Sequence, residues 1–166
     1  MPFNRALSNE TGELQFELSE KNYGDHRVRS SSGQDKGHFG EEGRDVISVA
    51  AHKFDDFLLM HNEIIPPEIK LIWMDIQGHE AKFIEGAREF FTKYSVPVVM
   101  EFWPYAIKRS GVSQEYFVEL MSSVFKNFYS IEPGVFKEHD IFEIGDYFNK
   151  YSGPGEGSTV MLYNSI

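Results

Sequence analysis

The 166-residue chain carries 26 acidic and 16 basic residues, a formal net charge of −10, and 41% of its residues are hydrophobic. That length and hydrophobic content are typical of one packed globular domain, and the negative field opposes binding to nucleic acid or to anionic membrane surfaces. The sequence contains no cysteine, which excludes disulfides, thiolate metal sites and cysteine nucleophiles. Met1–Glu10 lacks the apolar core of a signal peptide, and no apolar run is long enough to span a bilayer, so a cytoplasmic protein is expected.

The first third of the chain predicts short strands joined by loops. In Leu14–Leu18 apolar residues alternate with polar ones, as in a half-buried strand. Residues 30–43, "SSSGQDKGHFGEEG", are polar and rich in glycine, which predicts a flexible loop inside a single domain that covers residues 1–166. "DVISVA" predicts another short strand, and the aromatic residues after it indicate a brief helix that ends before Pro66.

The middle of the chain alternates dense apolar runs with helical spacing. The runs Ile69–Met74 and Val96–Phe102 contain few polar residues, which is typical of strands buried on both faces. Helical spacing takes over past Gly78, and a second, strongly periodic helix follows Ser113, a suitable N-cap. This strand–helix–strand–helix–strand order predicts an α/β fold with a mainly parallel sheet and helices on both faces.

An acid stands at the end of each dense strand, Asp75 after the first and Glu101 in the second. In open α/β sheets ligands bind beyond the carboxyl ends of the strands, and neighbouring strands lie about 5 Å apart. Adjacent strands would therefore bring both carboxylates to one crevice as a functional pair. Alternatively, Asp75 caps the following helix. Glu101 would then pair with Lys108 or Arg109.

The joint between the first dense strand and its helix, "MDIQGHEA", concentrates polar side chains. Gly78 relieves the turn or admits a ligand close to the backbone, and the Gln77 amide can both donate and accept, which suits recognition of a polar small molecule. His79 is either a general base near neutral pH or a solvated surface residue. Glu80 favours the helix start through the macrodipole with or without a functional role. The spacing matches no strong ligand pattern, so no metal site is predicted.

These residues resemble the FkbM family of S-adenosylmethionine-dependent methyltransferases. The family shows a hydrophobic strand that ends in Asp-x-(Glu/Gln)-Gly-x-Glu, then a helix with a Gly-Ala pair, then a strand that ends in Glu. In this chain the corresponding residues are Asp75, Gln77, Gly78, Glu80, Gly86, Ala87 and Glu101. Upstream, "NRALSNETGELQFEL" and "VISVAAHKFDDFL" are similar to two further family segments, so the match runs in order from about Asn4 to Pro104.

The resemblance implies an incomplete Rossmann-like methyltransferase fold with an antiparallel final strand. It also implies that S-adenosylmethionine is the cofactor and that its methyl group is transferred to a hydroxyl of a glycan or small metabolite. Such a transfer needs a base or a strong hydrogen-bond acceptor for the hydroxyl, and the residues implied for that catalytic duty are Asp75, His79 and Glu101. The implied cofactor-binding residues are Ala6, Leu7, Asp75, Gln77 and Glu80.

One part of the family pattern is missing from the sequence, namely the opening strand with the glycine-rich loop that cradles the methionine moiety of the cofactor. The chain resembles the C-terminal two-thirds of such an enzyme, as a truncated reading frame, a cut fragment or one half of a split protein would. The alternative function is a non-catalytic interaction module that binds the cofactor weakly or not at all. Ile69–Met74 would then be an unprotected apolar edge, so a homodimer or a partner chain that supplies the missing half is expected.

Overall fold

The computed structural model describes residues 2–29 and 37–164. Residues 30–36, half of the predicted flexible loop, lie outside the described residues, so the flexibility of segment 30–43 stays a prediction. Within that segment Glu41–Gly43 forms a single 3-10 turn, and the Glu41 side chain is buried.

Most strands lie in the first and last thirds of the chain, and in the described residues α-helices come between strands only after Lys53. The strands are β1 (Ala6–Ser8), β2 (Gly12–Leu18), β3 (Arg27–Val28), β4 (Asp45–Lys53), β5 (Ile72–Met74), β6 (Val98–Phe102), β7 (Asn127–Glu132), β8 (Val135–Asp140) and β9 (Ser158–Tyr163). The helices are α1 (Phe54–Met60), α2 (Glu80–Gly86), α3 (Arg88–Lys93), α4 (Pro104–Arg109), α5 (Gln114–Val124) and α6 (Ile144–Lys150). None of the helices in the described ranges is long and apolar enough to cross a membrane.

Two helices begin where a side chain accepts hydrogen bonds from their free backbone N–H groups. The Ser113 hydroxyl accepts from the Tyr116 N–H at 3.1 Å, which confirms Ser113 as the N-cap of α5. The Asp55 carboxylate accepts from the N–H groups of Glu89 at 3.0 Å and Phe90 at 2.9 Å. Asp55, which lies on α1, therefore caps α3 across the tertiary structure, and the helical stretch past Gly78 forms two helices instead of one.

The strands form two sheets of mixed direction. The first has the order β1-β4-β2-β3, and the second has the order β5-β6-β9-β7-β8. Among the described strands of the second sheet, β5 and β6 pair in parallel, but β9 lies antiparallel between β6 and β7, and β7 and β8 form a hairpin. The prediction of a mainly parallel sheet is therefore wrong. The final strand, β9, lies between β6 and β7 and is antiparallel to both. The antiparallel direction of that final strand is confirmed.

One face of the second sheet packs against the helices and forms the core. Val98, Met100 and Phe102 point to this face and are buried, and the Phe102 ring contacts Phe117 of α5 and Phe148 of α6 at centroid distances of 5.8 Å and 5.1 Å. On the opposite face Trp73 of β5 is 71% exposed and Phe136 of β8 is 59% exposed. In the described part of the chain, the second face of the two edge strands, β5 and β8, is therefore exposed, and the prediction that helices cover both faces is wrong for these strands.

Gly86 lies where α2 packs closely on β1. A Cβ atom at this position would lie 1.9 Å from the backbone oxygen of Ser8, which cannot move without displacing the strand. We expect Gly86→Ala to lower the free energy of unfolding by about 1–3 kcal/mol, the usual cost of overpacking, measured by urea denaturation. Gly43→Ala is the matched control, since its Cβ would meet no atom within 4 Å. Equal stability of the two variants would contradict this packing.

Candidate active site

The two acids at the strand ends lie side by side, as predicted. β5 and β6 pair in parallel with Met74 opposite Met100, so Asp75 and Glu101, which follow these residues, meet at the same edge of the sheet. The Gln77 Nε2 group donates to Asp75 Oδ1 at 2.7 Å and to Glu101 Oε2 at 3.1 Å. One side-chain amide therefore bridges both carboxylates.

The turn that carries Gln77 has a backbone conformation that side chains rarely adopt. Gln77 has φ 56° and Gly78 has φ 96°, and a non-glycine residue in the left-handed region is a strained position that often has a functional reason. A Cβ at Gly78 would lie 2.4 Å from the backbone oxygen of Ala106 in α4. Gly78 is thus required both for the positive φ and for the close approach of α4, the helix that follows Glu101.

The Glu101 carboxyl group is half-buried. Burial raises its pKa to about 6, and the neighbouring Asp75 contributes through its negative charge and through a hydrogen bond. No ion pair joins Asp75 or Glu101 to a cation of the described residues. Arg109, the partner considered from the sequence, pairs instead with Glu41 at 3.5 Å. The Glu101 carboxyl can therefore exchange a proton close to neutral pH, as a general base must.

His79 lines one cavity together with Asp75, but it does not line the cavity to which Glu101 belongs. Its side chain is buried, and its Nε2 atom lies 3.0 Å from the hydroxyl oxygen of Ser8 in β1. Burial is the main reason that the pKa of His79 falls to about 4, with a smaller contribution from the charge of Lys82. The imidazole is therefore neutral at physiological pH and is held by a distant strand. The structure does not bring His79 together with Glu101.

Glu80 is also buried, at 1% exposure. Its Oε1 atom accepts from the backbone N–H groups of Ile76 at 3.3 Å and Gly78 at 3.4 Å. Burial raises the pKa of Glu80 to about 7, although these backbone hydrogen bonds act in the opposite direction. Glu80 thus contacts the turn itself, and it lines neither of the two cavities that meet at Asp75.

The acidic cleft is a cavity of about 420 Å³ above the carboxylate pair. Its lining residues are Asn22, Gly24, Asp25, Phe39, Asp75, Gln77, Glu101, Trp103, Gly155 and Gly157. Trp103 directly follows the strand that carries Glu101, and its indole N–H donates to the backbone oxygen of Pro154 at 2.7 Å. Trp103 and the "GPGEG" segment, residues 153–157, line this cleft although no sequence pattern indicated them as part of the site. One sequence feature could have placed this segment near Glu101, namely its position directly before β9, the strand that pairs with β6.

The apolar cleft is a second cavity of about 590 Å³, which lies on the other side of Asp75. Apolar side chains of β2 and β4, including Phe16, Ile47 and Val49, form one wall, and β5 forms another. Two residues with a predicted cofactor role, Ala6 and Leu7, line this cleft. Asp75 is the one predicted site residue that lines both clefts, so it stands at their junction.

A buried network of charges forms the wall of the acidic cleft behind Asp25. Asp25 pairs with both Arg27 and Arg44, and Arg44 also contacts Glu17 at 3.3 Å. The Arg27 guanidinium lies 5.1 Å from the centre of the Trp103 ring. This network ties the first sheet to the end of β6. The charge of Arg27 lowers the pKa of Glu101, while the charge of Asp25 raises it.

Comparison with known proteins places these features in a family. The model of the "Methyltransferase FkbM domain" family matches residues 2–139, which include both strand ends, Gln77 and most of the two clefts. No curated protein and no solved structure matches the chain. Among the described residues, no group of three or more His, Cys, Asp or Glu side chains is arranged to hold a metal ion.

The pKa of Glu101 provides a direct test of the carboxylate pair. In a ¹³C-carboxyl NMR titration we expect Glu101 to titrate with a midpoint near pH 6. Asp75→Asn should lower that midpoint because it removes a neighbouring negative charge, while burial keeps the midpoint above the ordinary value for glutamate. Asp56→Asn, an exposed substitution on α1, should leave it unchanged. A Glu101 midpoint that is the same in wild type and Asp75→Asn would show that the two groups do not interact.

Proposed function

The chain belongs to the FkbM family of methyltransferases, and we propose that it transfers a methyl group from S-adenosylmethionine to a hydroxyl of a glycan or small metabolite. The observation that carries this proposal is the pair Asp75 and Glu101, bridged by Gln77 at the junction of two clefts. A two-substrate transfer needs two adjoining binding sites with a proton acceptor between them.

The apolar cleft fits the cofactor. Its volume of about 590 Å³ lies in the range of small-molecule sites, which are mostly apolar with a few polar groups that fix orientation. Ala6, Leu7 and Phe16 offer apolar surface for an adenine ring, and Asp75 at the junction offers a negative charge to a cationic sulfur. When bound, S-adenosylmethionine supplies an electrophilic methyl group on that sulfur.

The acidic cleft fits an uncharged acceptor that carries hydroxyl groups. Glu101 in its ionised form would take the proton of the acceptor hydroxyl as the oxygen–methyl bond forms and the methyl–sulfur bond breaks, so that S-adenosylhomocysteine leaves as a neutral thioether. A pKa of about 6 leaves most of Glu101 ionised at neutral pH. Gln77 donates to both carboxylates and fixes their orientation. The clustered negative charge disfavours acceptors that carry phosphate or carboxylate groups.

Removal of one charge from the pair tests the proposed chemistry. With tritium-labelled S-adenosylmethionine at saturating concentration and a panel of neutral saccharides and alcohols, wild type should label at least one acceptor. Asp75→Asn and Glu101→Gln should each lower the turnover rate by roughly a hundred-fold or more, as is typical when acid–base or electrostatic assistance is lost.

The control for this assay is Glu119→Gln, which changes an exposed acid on α5 and should retain wild-type turnover. Near-normal turnover of Asp75→Asn would limit Asp75 to a structural role. The proposed function itself would be wrong if wild type labelled no acceptor and calorimetry detected no binding of S-adenosylmethionine at millimolar concentration.

A specific observation supports a second candidate, an interaction module that pairs with another copy of the chain. β5 is an edge strand of its sheet, and the 71% exposed Trp73 stands beside the 45% exposed Ile47 at the apolar cleft. An unpaired apolar edge can extend a sheet into another molecule, and two copies of one edge satisfy each other about a twofold axis. Because this edge borders the proposed cofactor cleft, pairing and cofactor binding would compete.

Substitution of the exposed tryptophan tests this second candidate. If two copies pair through β5, light scattering should show a dimer of the wild-type chain, and Trp73→Glu should convert it to a monomer because the charge would be desolvated at the interface. Leu59→Glu is the control, since Leu59 is 80% exposed on α1 and should leave the dimer intact. A monomeric wild-type chain at micromolar concentration would rule out pairing.

A further inference from the structure

We propose that Glu80 is a positioning residue, whose buried carboxylate holds the turn 76–78 so that the Gln77 amide reaches both Asp75 and Glu101. This role differs from the cofactor contact that the family resemblance implies for Glu80. Its structural part stands on the geometry of the turn alone, and its consequence for catalysis rests on the proposed function.

Glu80 contacts the residues directly before and after Gln77 in the sequence. A single carboxylate oxygen accepts from the N–H groups of Ile76 and Gly78, at 3.3 Å and 3.4 Å. The Gly78 N–H belongs to the peptide group that directly follows Gln77, and the Ile76 N–H belongs to the peptide group between Asp75 and Ile76, so one acceptor joins the chain on the two sides of Gln77.

The turn needs this support because it is strained and has no space in which to relax. Gln77 has φ 56°, a conformation that persists only when the surrounding structure maintains it. Gly78 is in close contact with α4, where a Cβ atom would lie 2.4 Å from the Ala106 oxygen. The turn is therefore held between Glu80 on one side and α4 on the other.

The burial of Glu80 separates it from the ligand sites. At 1% exposure it lines neither the acidic cleft nor the apolar cleft, so neither cofactor nor acceptor can reach it without rearrangement. Its second oxygen, Oε2, is buried and has no hydrogen-bond partner among the described residues. A buried carboxylate with an unsatisfied oxygen costs stability, which a role in fixing the turn would explain.

The test replaces Glu80 and observes Gln77 and Glu101 by NMR. In Glu80→Ala the side-chain NH₂ resonances of Gln77 should move to the positions of a free amide. The titration midpoint of Glu101 should be higher in Glu80→Ala than in Glu80→Gln, because both variants lack the charge of Glu80 and only the alanine variant loses the hydrogen bond from Gln77 to the ionised Glu101 carboxylate. Gln77→Ala should raise the midpoint for the same reason, and in Glu80→Ala it should add nothing further.

Two further variants control for stability and for loss of charge. Glu80→Gln removes the same charge as Glu80→Ala but keeps side-chain size and an acceptor oxygen, so it is the control for loss of charge. It also tests the same resonances if Glu80→Ala does not fold, and it should move the Gln77 amide less. Glu115→Ala removes an exposed glutamate from the first turn of α5 and should leave both resonances as in wild type. In the methyl-transfer assay Glu80→Ala should lower kcat at least tenfold and change the KM for the acceptor less.

The outcomes separate this inference from the proposed function. If Glu80→Ala lowers the melting temperature but leaves the Gln77 amide unchanged and has the same Glu101 midpoint as Glu80→Gln, Glu80 serves stability only and the positioning role is wrong. If both resonances move as expected while the wild-type chain transfers no methyl group and binds no cofactor, the positioning of Gln77 stands and the proposed enzyme function fails.

Discussion

The site depends on the bridge that Gln77 makes between two carboxylates. Parallel pairing of β5 with β6 brings Asp75 and Glu101 together, and two negative charges at such short range resist joint ionisation. The amide N–H groups donate to both acids and offset part of this repulsion, while burial and Asp75 still raise the pKa of Glu101 to about 6. The bridge therefore yields one carboxyl group that can change its protonation state near neutral pH.

Much of the surrounding structure serves to hold that bridge. The turn adopts a positive φ at Gln77 and at Gly78, and it is fixed by Glu80 from within the fold and by α4 from the side of Glu101. Sites that combine backbone strain with a buried ionisable group are typical of functional positions. The two clefts meet at the same point, so the strained turn, the perturbed acid and the available space coincide.

The pairing of Asp75 with Glu101 could be predicted from sequence because two dense apolar runs each end in an acid and follow one another with a helical stretch between them, as neighbouring parallel strands do. The edge position of β5 and the antiparallel direction of the final strand followed from the family resemblance. The place of that final strand between β6 and β7 could not be predicted, since it is a property of the whole topology that no local pattern encodes. The same limit applies to His79, which burial keeps neutral and whose ring contacts Ser8, a residue far away in sequence. Trp103 lines the cleft with residues from the opposite end of the chain, which local spacing does not reveal.

The central claim is that the two clefts joined at Asp75 form the site of a methyltransferase. Its most direct test is NMR chemical-shift mapping of the chain with S-adenosylhomocysteine, which has the shape of the spent cofactor and transfers nothing. If the claim is correct, the backbone amides of Ala6, Leu7 and Asp75 and the side-chain amide of Gln77 shift together in a saturable way. Shifts confined to another surface, or no shifts at millimolar ligand, would contradict it.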